Sequence, residues 1–173
     1  MGDVRRDDNP HALAVPTDDA HALAVPADDA HALAVRVADA MFARDRASQA
    51  LGMRIEAVTP GSARLSMRVR ADMLNGHAMC HGGFIFTLAD STFAFACNSR
   101  DLATVASACM IDFLAPAHEG DVLTAAAIER SARGRMGVYD IEVTNQRGDT
   151  IALFRGKSYR VGGPAIDPGV RET

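Results

Sequence analysis

One run of seventeen residues, His81-Gly82-Gly83-Phe84-Ile85-Phe86-Thr87-Leu88-Ala89-Asp90-Ser91-Thr92-Phe93-Ala94-Phe95-Ala96-Cys97, limits what this chain can fold into more than any other feature. Nothing in it breaks a helix after Gly83, and a run of that length is helix rather than strand. Its aliphatic and aromatic residues point in every direction around a 3.6-residue turn, the pattern of a buried helix. The run is too short to span a membrane, and Thr87, Asp90, Ser91 and Thr92 interrupt it.

Asp90 disagrees with that setting. It stands mid-helix, where Asp has poor propensity, and a buried carboxylate is costly unless paired, hydrogen-bonded or protonated. Thr87, Asp90, Ser91 and Ala94 recur at helical spacing and share a stripe, which is either the wall of a cleft or a satisfied internal network. The Gly82-Gly83 pair opens the same helix and bares backbone N–H groups at the positive end of its dipole, a site for an anion or a polarised carbonyl oxygen. Eight residues separate Gly82 from Asp90, about 12 Å along a helix axis. One subunit therefore cannot easily aim both groups at one reacting atom. Two copies of the helix, antiparallel across a two-fold axis, could, so a homodimer with shared active sites is expected.

Around this helix the chain divides into three parts. Residues 1–37 form an extension with a ten-residue repeat beginning at His11, His21 and His31, expected to be flexible because Pro16 and Pro26 stop a continuous helix. The histidine spacing on such a segment does not suit a metal. Residues 38–163 carry a domain. A helix is expected over 38–50, strands over 53–58 and 63–69, a loop over 71–80, the long helix, and strands over 103–114, 121–130, 136–145 and 150–161. Leu65, Met67 and Val69 alternate with Arg64, Ser66 and Arg68, and Tyr139, Ile141 and Val143 with Asp140, Glu142 and Thr144, so the strands have one solvated face. Residues 164–173 read as a polar tail that frays. The result is an α+β fold, five to six antiparallel strands wrapped around a central helix. A net charge of −4 without a basic patch argues against nucleic acid. The three cysteines, in no metal spacing, read as reduced thiols of a cytoplasmic protein, and the N-terminus lacks the apolar core of a signal peptide.

Leu74-Asn75-Gly76-His77, Cys80-His81-Gly82-Gly83 and Leu88-Ala89-Asp90, followed by Ala106-Ser107-Ala108-Cys109, Ile111-Asp112-Phe113-Leu114, Gly137-Val138-Tyr139-Asp140 and Phe154-Arg155-Gly156-Lys157-Ser158, resemble the hotdog-fold acyl-CoA thioesterases of the phenylacetic acid pathway, the PaaI-type group. The resemblance covers roughly residues 38–163. It implies the hotdog fold and hydrolysis of acyl-CoA thioesters, phenylacetyl-CoA and ring-hydroxylated relatives above all. It also implies no cofactor beyond the CoA of the substrate, no metal, and a homotetramer built as a dimer of dimers.

Thioester hydrolysis needs fixed donors for the carbonyl oxygen and a carboxylate or water to attack the carbon. The helix N-terminus supplies donors at the backbone N–H of Gly82 and Gly83, and the resemblance implies Asp90 as nucleophile or general base, Gly82 polarising the thioester, and Asn75 and His81 positioning substrate or water. Ser107 is a candidate near the carbonyl. Coenzyme A carries phosphates, so Arg135, Lys157 and Ser158 are candidates along its path, with Gly156 allowing close backbone approach. Plainer readings stand beside these. Asp90 could bond Thr87 or Ser91, His81 could cap the helix, Asn75 could serve a turn, and the cations could be a solvated strand edge. A non-catalytic acyl-CoA-binding module and a hotdog hydratase or dehydratase are the alternatives; the latter would need a catalytic histidine facing an acid.

Overall fold

The computed structural model describes residues 26–166. Helix α1 (Ala27–Phe42) and the short α2 (Arg46–Ala50) lead into β1 (Arg54–Thr59) and β2 (Ser62–Arg68). A 3-10 turn (Ala71–Met73) and a loop precede α3 (Gly82–Asn98), and four strands follow: β3 (Thr104–Phe113), β4 (Val122–Arg133), β5 (Met136–Thr144) and β6 (Thr150–Arg160). The strands form one antiparallel sheet in the order β1-β2-β4-β5-β6-β3. α3 packs against all six strands, which is the α+β hotdog arrangement expected from the sequence.

The core is the meeting of two periodicities. Leu65 and Met67, Leu123, Ala125 and Ala127, Tyr139, Ile141 and Val143, and Ala152 and Phe154 alternate along their strands and are buried. They close on Ile85, Leu88, Ala89, Phe93, Phe95 and Ala96 of α3. Asn98 fastens the end of α3 to the start of β3: its Nδ2 donates to Thr104 O and its Oδ1 accepts from Thr104 N–H, both at 2.9 Å. This staple sets β3 alongside the helix.

Three expectations are corrected. The reading of residues 1–37 as a flexible extension fails from Ala27 onward, where α1 begins. The third repeat copy has Arg36 where the others have proline, so the helix runs on, with Asp28 and Asp29 in its first turn, and Ala34, Val37 and Ala38 enter the core. His31 is exposed on this helix; His11 and His21 lie outside the described residues. The single helix expected over 38–50 is two, because the Asp45 side chain accepts from Ser48 N–H at 3.0 Å and from Ser48 Oγ at 2.6 Å, capping a new start. The tail is tied down as far as Ile166: Gly163 O accepts from Ala103 N–H and Asp101 Oδ1 from Ile166 N–H, each at 3.0 Å. Residues 167–173 lie outside the described part. Among the described residues no helix is long and apolar enough to cross a membrane.

Candidate active site

α3 is not buried all round. Phe84, Thr87, Asp90, Ser91 and Ala94 are only partly covered, and they mark one open stripe along the helix. The expected stripe is thus a cleft wall. Thr87 Oγ1 donates to Gly83 O at 2.7 Å, and Ser91 Oγ shares a hydrogen bond of 3.0 Å with Ser48 Oγ on α2. Neither hydroxyl reaches Asp90. The carboxylate instead accepts on Oδ1 from the Cys109 thiol of β3, Sγ to Oδ1 3.8 Å. Burial pushes the Asp90 carboxyl above the usual range, and the Cys109 hydrogen bond opposes this. A groove of about 360 Å³ opens at Asp90, lined by Met41, Phe93, Ala94, Cys97, Val105 and Ala106 among others, with no cationic side chain among the described residues of its wall.

The other end of α3 holds the glycines. His81 precedes the helix in extended conformation, and its Nδ1 accepts from Gly83 N–H at 3.0 Å. This corrects the assignment of both glycines as donors, because Gly83 N–H is committed to the cap. Gly82 N–H has no acceptor among the described residues. A Cβ at Gly82 would stand 3.0 Å from the tip of the Phe113 ring, so glycine lets the end of β3 close over this backbone without displacing that half-exposed ring. Gly82 borders an apolar groove of about 400 Å³ with Met79, Ile85, Phe113, Leu114 and Ala117. Gly82 and Asp90 therefore line two different grooves of one chain.

The remaining predicted residues divide. Asn75 is the hinge of the loop before α3: its Oδ1 accepts from His77 N–H at 2.8 Å and from Met79 N–H at 3.4 Å. Ser107 sits at a bulge in β3 and donates to Lys157 O at 3.0 Å, which brings these two together. Lys157 is exposed and makes no ion pair among the described residues. Arg135 lies in the β4–β5 turn, Nη1 3.5 Å from Tyr159 Oη. Gly156 and Ser158 point the opposite way, into the interior. At Gly156 a Cβ would meet three atoms of the Phe93 ring at 2.9–3.0 Å, so its small size serves packing; the expected close approach of coenzyme A there is not what the glycine provides. Arg155 is occupied with Asp140, Nε to Oδ1 2.7 Å. Cys109 and Phe113 stand in blocks that carry the resemblance, but the sequence gives neither a role in the site. The register of β3 over α3 brings them to Asp90 and Gly82, and no local pattern encodes it.

Comparison with known proteins gives the family and the fold. The family model of the thioesterase superfamily matches residues 77–152. The acyl-coenzyme A thioesterase PaaI of Escherichia coli (strain K12) is 56% identical over 122 residues, 70% of this chain and 87% of the relative. The structure of the E. coli PaaI protein from the phenylacetic acid degradation operon matches with TM-score 0.77 at 53% identity, covering 78% of this chain and 97% of that one. A variant of the phenylacetic acid degradation protein PaaI from Thermus thermophilus gives 0.65 at 38% identity, covering 68% and 100%. A thioesterase protein of Streptococcus pneumoniae with coenzyme A gives 0.62 at 26%, covering 64% and 90%.

Proposed function

The chain belongs to the thioesterase superfamily, and from that premise we propose that its hydrolysis of acyl-CoA thioesters runs on Asp90 of one protomer and the Gly82 N–H of a second copy. One observation carries this. The carboxylate and the N–H, which have no cation and no acceptor among the described residues, stand on the same helix, about 12 Å apart, and line separate grooves. Two helices side by side and antiparallel would bring each Gly82 to the other's Asp90.

β3 supports such a pairing. It is an edge strand of ten residues with Val105, Met110 and Phe113 exposed and Leu114 just beyond its end. An unpaired apolar edge invites another strand, and a second β3 would set the two α3 stripes against each other. Ile128 and Leu153 on the outer sheet face support a further step to a dimer of dimers.

In each composite site the thioester oxygen accepts from Gly82 N–H, and Asp90 either attacks the carbonyl carbon or takes a proton from the attacking water. The C–S bond breaks and CoA leaves as a thiolate, a good leaving group that needs no strong general acid and no cofactor; where Asp90 is the nucleophile, water then cleaves the anhydride it has formed, releasing the free acid and restoring the carboxylate. The apolar groove beside Gly82 suits an aryl acyl group such as phenylacetyl, and Lys157 and Arg135 suit the phosphates of CoA. His81 keeps the helix start in place and Asn75 shapes its loop. With its Nδ1 held by Gly83, His81 is poorly placed as the acid–base histidine of a hydratase. The three free cysteines suit a reducing cytoplasm.

Thiol release from a panel of acyl-CoAs, phenylacetyl-CoA and its hydroxylated relatives included, tests the reading with Asp90→Asn beside wild type. Fast turnover of aryl substrates that disappears in the variant is expected. An Asp90→Asn enzyme as fast as wild type refutes it. Solvent oxygen-18 entering the enzyme's carboxylate in one turnover would identify Asp90 as the nucleophile.

A further inference from the structure

We propose that Cys109 is a positioning residue for the reaction: its thiol holds Asp90 Oδ1 and leaves Oδ2 for the substrate or the attacking water. The inference rests on the reading of Asp90 given above and adds a residue to it.

The geometry is specific. The hydroxyls within reach along α3 are spent, Thr87 on Gly83 O and Ser91 on Ser48. Cys109 is the one side chain of the described residues that donates to Asp90, at 3.8 Å. Its place is fixed by the ladder, where it pairs with Gly156 of β6, the glycine over which the Phe93 ring lies. Three buried or half-buried groups therefore lock together: a ring on α3, a glycine on β6 and a thiol on β3, the ring about three helical turns from the glycines of the helix start.

The chemistry suits a neutral donor. Burial and the facing Asp90 carboxylate push the Cys109 thiol up to about 11, so at neutral pH it keeps its proton and does not repel the carboxylate. Among the described residues the other titratable group facing Asp90 is Cys97, two turns along the same helix, which burial pushes up to about 12. α1 contributes Met41 to the groove, and the segment after β6 contributes Val161 and Ala165, none of them charged. The S–H donor is thus the local counterweight to a burial that favours the protonated acid. It keeps the carboxylate both ionised and turned.

The test is the pH profile of kcat/KM for phenylacetyl-CoA in Cys109→Ala and Cys109→Ser, with the infrared S–H stretch as a readout independent of activity. Loss of the donor should move the acid limb of Cys109→Ala upward by about half a pH unit or more, as removal of a weak hydrogen bond to a charged group does. Cys109→Ser, which keeps a donor, should return it toward wild type. In an Asp90→Asn background Cys109→Ala should cost nothing further. The S–H band of wild type should shift when Asp90 is replaced by Asn. An acid limb that stays put in Cys109→Ala, a serine variant that fails to restore it, or an S–H band indifferent to Asp90 overturns the proposal. If Asp90→Asn itself is fully active, the catalytic reading fails instead, and the two failures are distinct.

Discussion

His81 Nδ1 accepts the Gly83 N–H at 3.0 Å, so of the two glycines that open α3 only Gly82 keeps an N–H to offer. Gly82→Pro deletes that N–H at the first helical position, where proline is tolerated and the preceding His81 is already extended. The half-exposed Phe113 ring has room to yield. kcat should fall about 10²–10³-fold with the helical circular dichroism unchanged. His81→Ala should instead cost about 1 kcal/mol of stability through the lost cap, largely recovered in His81→Ser, as read by urea denaturation.

Asp90 carries opposite consequences for activity and stability. The reaction needs the carboxylate, and burial raises its pKa. The acid limb of kcat/KM should therefore lie above the range of an ordinary Asp. A raised folded pKa means that the native state binds the proton more tightly than the unfolded chain, so this group favours folding below its folded pKa and opposes it as pH rises through that value. Asp90→Asn should lower kcat about 10²–10⁴-fold and yet raise Tm at pH 7. The gain should fade as the pH is lowered through the Asp90 pKa.

Gly156 tests the packing role against a ligand role. Gly156→Ala drives a methyl into the Phe93 ring and should destabilise by about 1–3 kcal/mol. Phe93→Leu in the same chain should recover part of the loss. Thermal melts check this. A purely ligand-contacting glycine would change KM and leave the melt alone.

Lys157 tests the path of coenzyme A. Its side chain is exposed and makes no ion pair among the described residues, and its backbone oxygen accepts from Ser107 Oγ. Lys157→Ala should raise KM for the acyl-CoA about tenfold, the worth of a partly screened charge contact, and the penalty should vanish with the 3′-dephospho-CoA analogue. Equal penalties with both substrates would take Lys157 off the phosphate.

The strands were legible because alternation survives burial on one face: Tyr139, Ile141 and Val143 are inside as their pattern requires. The start of α1 was misread because Pro16 and Pro26 in the repeat suggested breaks throughout, whereas Pro26 merely precedes a helix whose first turn holds Asp28 and Asp29. Gly156 was misjudged for a different reason. A glycine in a strand shows that something comes close, but only the parity with exposed Lys157 and the fold above it say that the neighbour is Phe93. Asp90 was found by its chemical mismatch with its helix. Its contact with Cys109 was not, because nineteen residues and a strand register separate the two.

The composite site is tested most directly by heterodimers. Differently tagged Asp90→Asn and Gly82→Pro chains are co-expressed, and the mixed dimer is isolated by tandem affinity. If each site takes Asp90 from one chain and Gly82 from the other, the mixed dimer has one intact site and should show about half the wild-type kcat per dimer, although both parent homodimers are nearly inactive. A mixed dimer as inactive as its parents would mean that each chain carries its own complete site, and would contradict the account.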